Sequence, residues 1–532
     1  MPSEVADAVV IGAGPNGLVA ANALVDAGWD VVLVETNDEV GGALRSAEVI
    51  EPGFVTDLFS AFYPLAAASP IIRDLHLEAH GLRWRRAPAV VAHAFDDGRV
   101  AVLHDEVAQT AASVDAFAPG DGQAWADMFA DWQRVRDPLL DALFTPFPPV
   151  AAAVRLLART RLRGGVDLAR LAVMPVRAFG QERFDGDGAP ALLTGNAMHS
   201  DLSPDGAGSA LFGWLLVMLG QDVGFPVPEG GAGRLAQALH ERATAAGLRT
   251  RLGARVERIV VRDGRAKGVH LADGSRIEAR RAVLADVAAL ALFRELVGPE
   301  HLPPRLVSDL ARFDWDDATL KVNWTLDRPI PWANPAAAGA GTVHLGVDVD
   351  GFVDFAADLS VGRLPQRPFL LLGQMSVADP SRSPAGTESA WAYTHLPRSQ
   401  AEDEAALAQL AERIEDAVER VAPGFRDTVR GRLIQTPAGL QAADANLVLG
   451  STNAGASALH QQLVFRPSPG LGRPETPIQG LYLAGASAHP GGGVHGACGW
   501  NAARSALRAN SRLGGVQRAL VRTAWGRLLR TE

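Results

Sequence analysis

Residues 7–35, "DAVVIGAGPNGLVAANALVDAGWDVVLVE", constrain this chain more than any other stretch. Residues 8–11 form an apolar run bounded by glycine, as a buried strand does. Residues 18–27 continue as an alanine-rich helix, and residues 30–35 read as a second strand that ends in an acid. Between the first strand and the helix, Gly12, Gly14 and Gly17 keep a G-x-G-x-x-G spacing with Pro15 inside it. Gly12 permits the tight turn, Gly14 lets backbone approach a pyrophosphate, and Gly17 lets helix and strand pack closely. The phosphates would then meet the positive end of the helix dipole. Glu35 would accept hydrogen bonds from an adenosine ribose, and an acid at that place disfavours a 2′-phosphate. The spacing alone is weak evidence, but the full order of strand, turn, helix, strand and acid predicts dinucleotide binding.

That order fits NAD and FAD alike. Two further features suit a longer ligand. Gly41 and Gly42 follow Glu35 within a few residues and offer a second close approach of backbone. Near the other end, "LYLAGASAHPGGGVHGACGW" runs from strand-like sequence through three glycines, 491–493, into helix-like sequence. Bare backbone there lets the main chain lie against a flat ring without a Cβ clash. Residues 494–497 are expected to open a helix whose free N–H groups stabilise negative charge on that ring. "GLGRPE" and "GAGRLAQ" both lack the third glycine, so no second dinucleotide turn is predicted.

The N-terminal "VVIGAGPNGLVAANALVDAGWDVVLVE…VGG", the middle "VPEGGAGRLAQALHERATAAGLRTRLGARVERIVVRDGRAKGVHLADG" and the C-terminal "GLYLAGASAHPGGGVHG" resemble the phytoene desaturase-like FAD-dependent oxidoreductases. That group includes carotenoid desaturases, carotenoid isomerases and retinol saturases. "TGNAMHSDLSPDGAGSALFGWLLVMLGQDVGFPVPEGGAGRL" is most similar to its pyridine nucleotide-disulfide oxidoreductase domain-containing protein 2 branch. The resemblance implies an α/β fold: a Rossmann-like FAD-binding domain of the glutathione reductase/amine oxidase type, assembled from discontinuous segments, with an α+β substrate domain. The division it suggests is 1–75, 221–300 and 441–532 for FAD, and 76–220 and 301–440 for substrate. It implies that Gly12, Gly14, Pro15 and Gly17 hold the pyrophosphate, with Glu35 on the ribose and Gly41, Gly42 and Arg45 near the phosphates. Val256 would meet the adenine through its backbone. Gly485, Gly492, Gly493 and Val494 would embrace the ribityl chain and flavin ring. Many flavoproteins carry Gly-Asp where this chain has Gly485-Ala486-Ser487, so backbone or Ser487 would have to replace an acidic contact.

The remaining signals bound the function. The formal charge of −10 disfavours a nucleic-acid partner. A single cysteine, Cys498, excludes an internal disulfide framework and fits a cytoplasmic setting. The beginning of the chain has no basic n-region or cleavage site, so no signal peptide is expected. "ALFGWLLVMLG" is too short to span a bilayer. Residues 518–530 could form a basic amphipathic helix that lies peripherally on an anionic membrane, or one packed on its own domain. Residues 407–421 repeat apolar positions at helical spacing, as a core-facing helix does. No HxxxH or HExxH motif suggests a metal. His489 and His495 flank the C-terminal glycines, and His199 and Asp201 form a candidate acid–base pair; all four are candidate catalytic residues. The alternative reading is that Asp201 or Ser203 caps the start of a helix.

The expected function is hydride transfer between flavin and an apolar, isoprenoid- or lipid-like substrate, with oxygen, a quinone or another acceptor completing the cycle. Two rivals remain: a redox-neutral FAD-dependent isomerase or hydratase, and a non-enzymatic binder in the manner of Rab GDP-dissociation inhibitors. Oligomeric state is left open.

Overall fold

The structure is a computed structural model, which describes residues 4–512, 514 and 515. The helix expected over 518–530 lies outside the described residues.

Among the described residues, two seven-stranded sheets organise the molecule. The first is built on Glu4–Ile11, whose residues from Ala6 to Val10 are buried on both faces. It lies parallel to Val31–Val34 on one side and to Arg276–Ala285 on the other. Arg249–Arg251 extends the sheet beyond Val31–Val34, again in parallel. Arg276–Ala285 arrives through an antiparallel meander from Val256–Arg262 and Arg265–Leu271. Its last residues pair in parallel with Leu481–Leu483, so a strand from near the end of the chain completes a sheet begun at residue 4. The fold is thus a Rossmann-like unit assembled from discontinuous segments.

Helix Pro15–Asp26 covers this sheet and is itself flanked by Gly233–Ala245 and Ala497–Ala509. Helix crossing is close because small residues face each other. A Cβ on Gly499 would come within 1.8 Å of the Asn16 carbonyl oxygen.

The second sheet runs in the spatial order Val429–Gln435, Ala318–Leu326, Glu388–Leu396, Leu370–Gln374, Ala340–Leu345, Ala89–Ala94 and Val100–Leu103. Its pairings are antiparallel except that Ala340–Leu345 lies parallel to Ala89–Ala94. Strand alternation divides its side chains between two environments. Leu320, Val322, Trp324 and Leu326 join the core with Leu410, Ile414 and Val418 of helix Glu404–Val421. The core-facing helix read from sequence is therefore present. On the opposite face stand Thr319, Lys321, Trp391, Tyr393, Leu371 and Thr342, all of which line a cavity. Helix Ser209–Val223 holds the apolar block of residues 210–220, and no described helix is long and apolar enough to cross a membrane.

Candidate active site

A cavity of about 700 Å³ runs between the two sheets. At one end its wall comprises Gly12, Gly14, Pro15, Glu35, Gly42 and Val256, all named from sequence as cofactor residues. Gly492, Gly493 and Val494 line it further along.

The turn is shaped by contacts that sequence reading did not contain. Asp286, directly after strand Arg276–Ala285, accepts the Gly17 N–H on Oδ2 at 2.7 Å. A Cβ on Gly14 would lie 2.8 Å from that same oxygen, and one on Gly12 2.7 Å from the Asp286 carbonyl oxygen. A Cβ on Gly17 would lie 2.1 Å from the Gly12 carbonyl oxygen. Each glycine thus answers a contact within the chain as well as any demand from a ligand. Burial pushes the Asp286 carboxyl up to about 7, against the N–H bond from Gly17. The one sequence signal for Asp286 is an acid directly after an apolar strand.

Glu35 accepts the Ala13 N–H at 2.8 Å and the Asn37 backbone N–H at 2.9 Å. Those bonds fix its carboxylate on the wall and leave acceptor capacity for a ribose hydroxyl. Gly41, Gly485 and Arg45 stand behind the wall rather than on it. A Cβ on Gly41 would meet the Leu44 carbonyl oxygen at 2.5 Å, and one on Gly485 the Val287 carbonyl oxygen at 2.8 Å. Arg45 donates to the Gly42 carbonyl at 3.1 Å and the Ala443 carbonyl at 2.6 Å, bracing the second glycine turn. Ser487 does not replace an acidic cofactor contact. It is buried, donates to the Ala454 carbonyl at 2.9 Å and accepts the Ala289 N–H at 3.0 Å, while Ala486 lines the cavity.

The helix after the glycine run begins at Ala497, not at residue 494, behind Gly496 at φ 72°. The Ala497 N–H donates to His495 Nδ1 at 3.0 Å. One of the N–H groups expected to face a flavin is therefore taken by His495, which lines the cavity with a lone pair already engaged. His489 does not line the cavity; it is buried and, among the described residues, neither ring nitrogen makes a hydrogen bond of good geometry. Burial pulls both rings down to about 4, so both are neutral at physiological pH. Arg466 braces the same segment from behind. It is fully buried and donates to the carbonyls of Asn453 at 2.6 Å, Ala456 at 3.1 Å and Ala486 at 2.9 Å. Cys498 is a buried thiol, pushed up to about 12 by burial.

His199 and Asp201 are not a pair. His199 lines the cavity and meets His344 at 2.9 Å between their Nε2 atoms. Asp201, at φ 56°, turns away to His395, with 2.7 Å between Oδ1 and Nε2. It caps no helix. Burial favours the neutral ring, yet the Asp201 carboxylate holds His395 up to about 9, while burial pushes the Asp201 carboxyl itself up to about 6. His395 also meets Thr319 Oγ1 at 3.3 Å, which ties the pair to the cavity wall. His344, His395 and Lys321 were missed in the sequence because isolated polar residues in a strand look alike whichever face they occupy. Lys321 places an amine on the chamber wall. It is buried, donates to the carbonyls of Asp57 and Phe59, and sits 5.3 Å from the Trp391 ring centroid. Among the described residues no cluster of histidine, cysteine or carboxylate fits a metal ion.

The site fits FAD on its own geometry. A Cβ on Gly42 would come 3.0 Å from the Gly14 Cα, and one on Gly492 would come 2.9 Å from the Asn453 side chain. Packing within the chain thus keeps bare backbone at both stretches of the wall, as close approach to a dinucleotide requires.

Comparisons with known proteins agree. The family described as flavin containing amine oxidoreductase matches residues 16–507. Pyridine nucleotide-disulfide oxidoreductase domain-containing protein 2 of Rattus norvegicus is 32% identical, over 94% of this chain and 93% of that protein. Phytoene desaturase (lycopene-forming) of Pseudescherichia vulneris is 28% identical, over 92% of this chain and 96% of that protein. Hydroxyneurosporene desaturase of Cereibacter sphaeroides is also 28% identical, over 91% of this chain and 94% of that protein. An oxidoreductase structure from Methanosarcina mazei superposes with a TM-score of 0.60 at 16% identity, covering 94% of this chain and 99% of that one, and shows the shared fold.

Proposed function

This chain belongs to the flavin containing amine oxidoreductase family and is an FAD-dependent oxidoreductase, and from that premise we propose that it dehydrogenates or saturates an apolar, isoprenoid- or lipid-like substrate. One observation carries the reading. Beyond the cofactor end, the cavity wall is built largely from residues such as Phe62, Leu65, Leu143, Phe212, Leu216 and Phe225. Its carboxylates, Glu35, Asp286 and Asp444, all belong to the dinucleotide end among the described residues. An ammonium substrate would meet Lys321 and no counter-ion, which is costly in an apolar cavity. An uncharged chain would lose water and gain contact. Relatives named for phytoene and hydroxyneurosporene support the same class.

Bound FAD supplies the two-electron chemistry. The chain's part is to hold and orient. Gly12, Gly14 and Pro15 would carry the pyrophosphate, Glu35 the ribose, and the Val256 backbone the adenine. Gly17, Gly41, Arg45 and Gly485 would act one layer back, by letting the loops close on each other. Gly492, Gly493 and Val494 would present backbone to the ring. The aromatic and aliphatic wall excludes water and aligns the carbon chain. In dehydrogenation oxygen, a quinone or another acceptor would take the electrons onward; in saturation an external reductant would first have to reduce the flavin.

Anaerobic mixing of the yellow protein with isoprenoids, fatty lipids and amines tests this. Flavin bleaching by an apolar chain, with a product that has lost two hydrogens, is expected. Bleaching by amines alone would refute the substrate class. Turnover to a product of unchanged mass would point instead to the redox-neutral isomerase.

A further inference from the structure

His199 and His344 approach through their Nε2 atoms at 2.9 Å, so a single proton lies between them. A neutral imidazole carries one N–H and one lone pair. Which ring donates is decided on the far side of His344. There Nδ1 is buried and, among the described residues, has no hydrogen-bond partner. It faces Gly195 of helix Gly188–Ala197 so closely that a Cβ there would lie 2.3 Å away. A glycine α-hydrogen occupies that same direction. It points at Nδ1, where it can meet a lone pair as a weak C–H···N contact. A second hydrogen on Nδ1 would collide with it head-on and be an orphaned buried donor. Nδ1 of His344 is therefore bare, and its proton sits on Nε2.

Burial keeps both rings neutral: His199 is pulled down to about 3, and His344 is held well below the ordinary histidine range. His344 must then donate to His199. With Nε2 occupied as an acceptor, His199 carries its own proton on Nδ1. Among the described residues that nitrogen has no hydrogen-bond partner, and the ring forms part of the cavity wall. An N–H turned towards an apolar chamber is costly unless the occupant brings an acceptor.

We propose that His199 is a fixed hydrogen-bond donor, set in its tautomer by His344, and that it selects an otherwise apolar substrate bearing an acceptor oxygen such as a hydroxyl or carbonyl. This rests on the apolar-chain reading above. It gives His199 a specificity role in place of an acid–base one, and makes His344 its positioning residue.

Ring-nitrogen NMR of ¹⁵N-histidine-labelled holoenzyme tests the tautomer without any ligand, with the His199 signal identified by its loss in His199→Gln. His199 should carry its proton on Nδ1 and stay neutral from about pH 5 to pH 7. Flavin absorbance titrations with farnesol, farnesal and farnesene then test selection. The two oxygenated ligands should bind about tenfold tighter than the hydrocarbon, the worth of one buried hydrogen bond. His344→Phe should release the tautomer and reduce that preference to about twofold or less, whereas His344→Gln, whose amide can donate the same bond, should restore it. A proton on His199 Nε2, or equal affinity for all three ligands, would overturn the proposal. Failure of all three to bind would count against the apolar-chain reading, and the NMR result alone would then decide the donor assignment.

Discussion

Lys321 illustrates how much a single position can depend on its surroundings. Burial pulls its amine from 10.5 down to about 7, although the Asp57 carboxylate favours the charged form. The folded state therefore releases this proton where the unfolded chain still holds it. Between about pH 7 and pH 10.5 the unfolded state binds more protons, so stability rises with pH across that window by up to ~1.4 kcal/mol per unit. Below the window the full cost of the buried charge is felt. Lys321→Met should remove this slope: the wild type should gain stability relative to the variant as pH rises from 7 to 10, in denaturant titrations at several pH values. Parallel pH profiles for the two proteins would show that the amine is not desolvated as its position implies. The carbonyls of Asp57 and Phe59 would lose their donor in the variant, so the difference in slope, not the absolute stability, is the informative quantity.

Packing between elements sets how the cofactor end is built. Helix Ala497–Ala509 crosses helix Pro15–Asp26 with the Gly499 Cα against the Asn16 backbone, and a Cβ there would come within 1.8 Å of a carbonyl oxygen. Backbone cannot swing aside as a flexible side chain can. Gly499→Ala should force the helices apart and cost at least ~1–3 kcal/mol, as overpacking does. Because the displaced helix carries the glycine turn at its N-terminal end, FAD content should fall with the thermal midpoint. Gly339→Ala offers a control, since its nearest neighbour would be 3.7 Å away. An unchanged melting curve and full FAD in Gly499→Ala would mean that the helices are less tightly held than their contact indicates.

Across the whole molecule, three segments far apart in sequence are joined by a buried ionic knot. Arg382 is fully buried and donates to Asp57 at 2.7 Å and Asp379 at 3.2 Å. Asp57 also accepts the Ala232 N–H at 2.9 Å, and Asp379 accepts the Gly230 N–H at 2.7 Å. Segments 46–57, 230–232 and 379–382 are thereby locked together beside the cavity. The net worth of such a network against an apolar replacement is small, but removing one partner leaves uncompensated charge. Arg382→Met should destabilise the protein by ~3–5 kcal/mol, and limited proteolysis should cut near residues 46–57 or 375–389 sooner than in the wild type. Wild-type stability and cleavage in the variant would show that these segments are held chiefly by apolar contact.

The sequence by itself determined the dinucleotide half. The glycine turn, the acid at Glu35 and the glycine run at 491–493 were all legible. Each is a local demand: a backbone angle, a missing Cβ or a periodic apolar run that one short segment states alone. The family resemblance extended that reading to the FAD-dependent oxidoreductase class. Tertiary structure alone decided the rest. His199 and Asp201, two residues apart, part company because the chain turns at Asp201 through a left-handed φ, sending one side chain to His344 and the other to His395. Lys321 and Asp286 gain their roles from what is folded over them. Between neighbouring residues of one strand, such as Leu320 and Lys321, the sheet sends one to the core and the other to the chamber. Charge state, tautomer and partner depend on contacts between segments hundreds of residues apart, and no short stretch of sequence carries that information.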